Sequence, residues 1–298
     1  MDVLAQQILN GLALGSVYAV FGVGFGLMLA TLGVLNAAHG TFATWGALTV
    51  LYLVNDVGLG FWPALVLGVL VSGVMAVIVD FVAFQPIRRR GGDLLPALIT
   101  SIGVWIFLLA AARMVTGATT SRYSPDAAPS GSFDFLGLTL GRTQLVSLLA
   151  VALVGVGLHV LLHRTRVGAA MRAVGHSPMA ASLGGVNPVL VVAVTAFLSG
   201  AVAGLAGITM GLNTSTVNFM LGEALLLKGF AAVIIGGFGD VRGTVVGGLL
   251  IGVAEVLTAQ YVSGSLRDAV TFGLLLAFLV FRPRGLFGSA ASMQTVRA

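Results

Sequence analysis

Apolar residues fill this chain in long blocks broken by short polar punctuation, and the lengths of the blocks carry the first inference. Between Asp2 and Asp56 there is no Asp, Glu, Lys or Arg. A membrane-crossing helix needs about 20 apolar residues, at roughly 1.5 Å rise each, to cover a hydrocarbon core of about 30 Å. The uncharged run exceeds twice that length and must turn back once. The stretch "GVLNAAHGTFATWGAL", Gly33 to Leu48, lies where it turns. Further apolar blocks follow, so that the segments run Leu4 to Thr31, Thr41 to Val54, Phe61 to Phe84, Leu94 to Val115, Thr143 to Leu162, Val189 to Gly211, Leu221 to Gly237, Gly243 to Val262 and Ala269 to Phe281. The pattern predicts an all-α integral membrane protein, a polytopic bundle of about 8–10 crossings, some short or broken.

Composition narrows this picture. The chain is 58% hydrophobic and 8% charged, with a mean hydropathy of +1.06, outside the range of soluble domains. Forty-two glycines and weak period-2 alternation favour close-packed helices over a membrane barrel. There is no cysteine, which excludes disulfides, thiolate metal sites and Cys nucleophiles. The start MDVLAQQILN has neither a basic stretch nor a cleavage site, so the first block reads as a retained helix.

The net charge of +5 is explained by position. Arg88, Arg89, Arg90, Arg164, Arg166, Arg172, Arg242, Arg282, Arg284 and Arg297 fall on one side of the alternating spans, whereas Arg113, Arg122, Arg142 and Arg267 lie near the other. The positive-inside rule then places the N-terminus in the periplasm and the C-terminus in the cytoplasm, and the arginines determine topology rather than bind nucleic acid. The expected organisation is one permease-like membrane domain, 1–298, with a Ser/Pro/Gly-rich periplasmic loop at 116–142 and a cytoplasmic loop at 163–188.

Three places carry candidate chemistry. Asn36 and His39, three apart, are neighbours if the turn is helical. They suit the satisfaction of backbone groups freed at a helix break, with Gly40 allowing the bend, and such a break is tolerated at membrane depth only where it is buried or lines a cavity. A lone histidine offers no metal site, and no nucleophile stands near it, so an enzyme is not expected. In "EALLLKGFAAVIIGGFGDVR", Glu223 and Lys228 put two charges into an apolar segment. Five residues apart, they stand about 140° apart around a helix and cannot pair. Glu255 in the next segment is the partner expected for Lys228; a place on the substrate path or snorkelling to the interface are the other readings. Finally, "HRTRVGAAMRAVGHSPMAASLGGVNP", His163 to Pro188, contains a helix N-capped by Ser177 with Pro178 at its first position and Gly184 or Gly185 at its end, and a second piece from Gly168 to Val174. Helices this short need something to pack against, either lipid headgroups or a cytoplasmic partner that takes Met179 and Leu183 as anchors and Arg172 as a polar contact. No GxxxxGK[ST] is present, so nucleotide chemistry has to come from another chain.

The words "NGLALGSVYAVFGVGFGLML", "GVLNAAHGTFATWGAL", "RTRVGAAMRAVGHSPMAASLGGVNP", "LKGFAAVIIGGFGDVRGTVVGGLLIG" and "FRPRGLFG", in this order and over nearly the whole length, resemble the permease subunits of bacterial branched-chain amino acid ABC importers. The resemblance implies a bacterial inner-membrane, multi-pass protein in lipid. It implies a second permease subunit, identical or not, two ATPase subunits that bind ATP and Mg, and a periplasmic binding protein that delivers the substrate. In that comparison the coupling segment corresponds to Arg166, Gly168, Met171, Arg172, Ala173, Met179, Ala180, Leu183 and Gly184, and the substrate path is sought at Asn36, His39, Gly40, Glu223, Lys228 and Glu255. Urea or short amides fit the same architecture. An ion-coupled secondary transporter needs no docking loop, and a membrane scaffold needs no path between its spans.

Overall fold

The computed structural model describes residues 2–287 apart from 34, 92–93, 125–127, 130 and 136–137; Arg297 of the basic set and those parts of the 116–142 loop lie outside the described residues. The long helices are α1 (Asp2–Leu32), α2 (His39–Asn55), α3 (Phe61–Val79), α5 (Leu94–Thr116), α6 (Arg142–Arg164), α9 (Pro188–Thr214), α10 (Leu221–Gly236), α11 (Val241–Tyr261) and α12 (Arg267–Phe281). Each apolar segment of the sequence is therefore a helix. Among the described residues seven helical stretches are long and apolar enough to cross a membrane. The exceptions are α2 and α10, of 17 and 16 residues, which lie among the others.

α3 is prolonged by a π-helical turn, Asp80–Phe84, and by α4 (Gln85–Arg89). Between α6 and α9 stand two short helices, α7 (Arg166–His176) and α8 (Pro178–Leu183). The 116–142 connection, expected to be plain loop, holds a hairpin of β1 (Ser132–Phe135) and β2 (Leu138–Gly141). Its anchor is Gln6 of α1, whose carboxamide donates to the carbonyl of Thr139 at 2.8 Å and accepts from its amide at 2.9 Å, as a neighbouring strand would.

α1 is the axis of the bundle and packs on α6, α9, α10 and α11, while α2, α3 and α9 form a second group beside it. Glycine makes these approaches possible: a Cβ on Gly15 or Gly248 would meet the facing backbone of α11 or α1 within 3 Å. The outward faces of α5, α6 and α12 carry Ile99, Phe107, Leu153, Val156 and Phe281, all more than 60% exposed. A belt of this kind is stable against lipid or another apolar surface and not against water.

Candidate functional site

α1, 31 residues and about 46 Å long, ends at Leu32 beside α7, where the backbone of Ala30 faces Gly175. Gly33, at φ +67°, then reverses the chain. The chain climbs back into the bundle, because His39, the first residue of α2, packs its ring against Phe21 and Phe25 of α1 and Phe42 of α2, at centroid distances of 5.0, 5.5 and 5.8 Å. α2 runs from there to the opposite end, where Asn55 bonds the backbone of Arg122 and Ser124. α10 begins beside this buried start: the amide of Gly222 donates to Thr44 Oγ1 at 3.0 Å, and a Cβ on Gly40 would lie 2.6 Å from the carbonyl of Gly222. α10 then descends to Gly236, which packs on Gly243. Two short helices thus meet by their N-terminal turns inside the bundle and run to opposite ends.

These contacts correct the sequence reading of the turn. Asn36 does satisfy one freed backbone group, accepting from the amide of Ala38 at 3.0 Å. Among the described residues His39 satisfies none: its ring is fully buried, Nδ1 lies 3.5 Å from Ser199 Oγ, and Nε2 has no partner there. The bend belongs to Gly33, whose positive φ a side chain would oppose; Gly40 is helical and serves the close approach to Gly222.

The buried charges resolve into a cluster. Lys228 Nζ lies 2.7 Å from Glu255 Oε1, 3.2 Å from the hydroxyl of Tyr18 and 3.4 Å from the exposed carboxylate of Asp268. The other Glu255 oxygen accepts from Tyr18 at 2.9 Å. The ammonium thereby gains a partner from each of α1, α11 and α12, the condition under which a charge is tolerated at membrane depth. A second buried carboxylate, Asp80 in the π turn, is held in two parallel bonds by Arg88, at 2.7 and 2.8 Å.

Glu223 is placed differently. It sits in the first turn of α10, about 140° around the helix from Lys228, and makes no side-chain hydrogen bond or ion pair among the described residues. It lines an open groove of about 450 Å³ with Met210, Thr214, Thr216, Asn218, Met220, Leu221, Ala224 and Leu227. Of the six residues sought on a substrate path, Glu223 lines this groove and Asn36 borders a small cavity of about 20 Å³ with Arg88 and Ala97; His39, Gly40 and Glu255 are buried in packing, and Lys228 is engaged in its cluster.

At the other end α7 and α8 form a capped unit. Thr165 accepts from the amide of Gly168 and Ser177 from that of Ala180, and Gly184 follows the last helical residue. Gly168 and Met171, expected on the docking face, point inward: a Cβ on Gly168 would overlap the backbone of Leu161 and Leu162, and Met171 is 1% exposed in a core with Val23, Leu27 and Val192. Arg166, Arg172, Ala173, Ala180 and Gly184 are exposed, as are Met179 at 77% and Leu183 at 84%.

Sequence reasoning missed the phenol of Tyr18, the Asp80–Arg88 pair and most of the groove lining. The eight-residue spacing of Asp80 and Arg88 across an apolar stretch was a usable signal, and the polar stretch Asn213–Asn218 before Glu223 was another; Tyr18 carried none, since its partners Lys228 and Glu255 lie far away in sequence.

Comparison with known proteins places the chain. Residues 7–279 match the family model described as branched-chain amino acid transport system / permease component. The high-affinity branched-chain amino acid transport system permease protein BraD of Pseudomonas aeruginosa is 31% identical over 295 residues, covering 95% of each chain. LivH of Salmonella typhimurium, a permease protein of the same description, is 30% identical over 303 residues, again with 95% of each covered. LivM of that organism, a second permease protein of that system, is 26% identical over 294 residues, 91% of this chain and 67% of its own.

Proposed function

Because the chain belongs to the branched-chain amino acid transport system permease family, we propose that it is the membrane-spanning permease subunit of an ABC importer in the bacterial inner membrane, moving branched-chain or related amino acids handed over by a periplasmic binding protein. A second permease subunit and two ATPase subunits complete the assembly, and the ATPase subunits hold ATP and its magnesium. The N-terminus and the hairpin end then face the periplasm, and α7 and α8 face the cytoplasm.

The observation that carries this reading is the capped projection at α8. Its caps hold the turn, α7 is keyed into α1, α6 and α9 through Met171 and Val174, and Met179 and Leu183 stand free in solvent. Two large apolar side chains exposed four residues apart on a capped turn are suited to filling a partner's pocket. A displacement of α8 by the partner passes through α7 to the lower end of α1, which packs on α10, and so to the start of α10 where the groove lies. The groove itself serves as this chain's part of the path.

The double variant Met179→Ala, Leu183→Ala tests it. Truncating a buried anchor typically costs 2 kcal/mol or more of binding, so the ATPase subunits are expected to be lost from a pull-down, and leucine uptake with them, at equal membrane expression. Equal recovery with undiminished uptake overturns the docking assignment. Uptake that survives ATP depletion and follows an ion gradient instead supports a secondary transporter.

A further inference from the structure

The groove beside α10 has three kinds of wall. Met210, Met220 and Leu227 are apolar, Thr216 and Asn218 are neutral and polar, and Glu223 is an acid. Asn218 uses its carboxamide oxygen to accept from the amide of Met220 at 3.0 Å, which leaves its NH2 group as a donor. The carboxylate of Glu223 has no counter-ion among the described residues. Lys228 is turned to the opposite side of α10 and spent on Glu255 and Tyr18. Arg113 is stacked over Phe219 at 5.8 Å, and neither it nor Arg122, which follows the Ser121–Val217 bridge, lines the groove. An uncompensated carboxylate in a cavity walled by low-dielectric side chains focuses a negative potential into that cavity.

We propose that Glu223 makes this groove a station for the α-ammonium group of an amino acid. The carboxylate takes the ammonium, the Asn218 amide faces the substrate carboxylate, and the methionine and leucine side chains receive the aliphatic branch. The permease thereby adds a selection of its own to that of the delivering protein: it admits zwitterions that carry an ammonium and retards anions of the same shape. This rests on the groove belonging to the transport path.

The absence of cysteine allows a direct measurement. Ala224→Cys puts one thiol on an exposed position in the groove, next to Glu223. In membranes holding the assembled transporter, its modification by a cationic trimethylammonium methanethiosulfonate should outpace that by an anionic sulfonate analogue about tenfold, each rate divided by that with a free thiol. In the Glu223→Gln background the preference should vanish. Maximal leucine uptake at saturating loaded binding protein should fall severalfold in Glu223→Gln and persist in Glu223→Asp, with the half-saturating concentration unmoved. An unchanged charge preference, or full uptake by Glu223→Gln, overturns the station. Full uptake by Ala224→Cys after complete modification overturns instead the placing of the groove on the path. If Glu223→Gln inserts poorly, Ala224→Lys replaces it: a fixed ammonium beside the carboxylate should abolish uptake, and wild-type uptake overturns the proposal.

Discussion

Lys228 shows how one residue's environment decides its meaning. An ammonium within an apolar helix invites a transport role, yet its side chain is 12% exposed and faces a carboxylate that is 4% exposed. Removing one partner of a buried pair costs about 3 to 5 kcal/mol, because the other charge remains without compensation, whereas replacing the whole pair by apolar groups of similar size is often neutral. Lys228→Met and Glu255→Leu are therefore expected each to lower thermal stability in detergent markedly, and the double variant to recover most of the loss. Tyr18 and Asp268 keep the recovery incomplete, since each retains a polar group that faced the pair. Strictly additive losses in a double-mutant cycle defeat the pairing.

At the scale of elements, the decisive contact is the crossing of α2 and α10 at Gly40 and Gly222. A Cβ on Gly222 would overlap the carbonyl of Gly40, which is backbone and has no rotamer to yield. Overpacking of this kind costs about 1 to 3 kcal/mol or more, so Gly222→Ala should melt earlier in detergent and lose uptake. Gly157→Ala is the control: it lies in α6 with nothing within 4 Å of the added methyl, and a helical Gly→Ala change there should stabilise by about 0.5 to 1 kcal/mol. Equal melting temperatures for the two variants rule out a tight α2–α10 crossing. The same contrast between faces governs α7 and α8, where Met171 is core and Met179, eight residues on, is surface.

For the whole molecule the arrangement of ends carries the largest consequence. α1 begins beside the hairpin and ends beside α7; Arg88 lies with Leu32 and Asn36 at that second end, and Arg172 lines a small cavity there with Asp240. Arg88 and Arg172 therefore share one end of the bundle, the end that the positive-inside rule is expected to put in the cytoplasm, whereas Arg122 and Arg142 stand at the hairpin end. Single cysteines at Thr120 and Leu183, both exposed, test this in intact cells depleted of outer-membrane barrier. An impermeant thiol reagent should label position 120 and leave 183 untouched until the membrane is opened. Labelling of 183 from outside reverses the topology.

The membrane class, the helical segments and their approximate limits were legible in the sequence, because hydrophobic length and the placing of glycine, proline and arginine are local quantities set by the bilayer and the backbone. The caps of α8 were legible for the same reason: Ser177, Pro178 and Gly184 act on the turn that contains them. Even the Lys228–Glu255 pair could be anticipated, since two isolated charges in neighbouring apolar segments have few alternatives. Only the tertiary structure decided that α2 and α10 start inside the bundle, that the freed backbone at the break is served by Asn36 but not by His39, that Met171 faces in while Met179 faces out, and that Glu223 opens onto a groove. The meeting of α2 with α10 at Gly40 and Gly222, the packing of His39 on α1 and the burial of Met171 against Val23 depend on surfaces that approach across many residues of chain. That is settled by the mutual fit of whole helices, and no short stretch of sequence contains it.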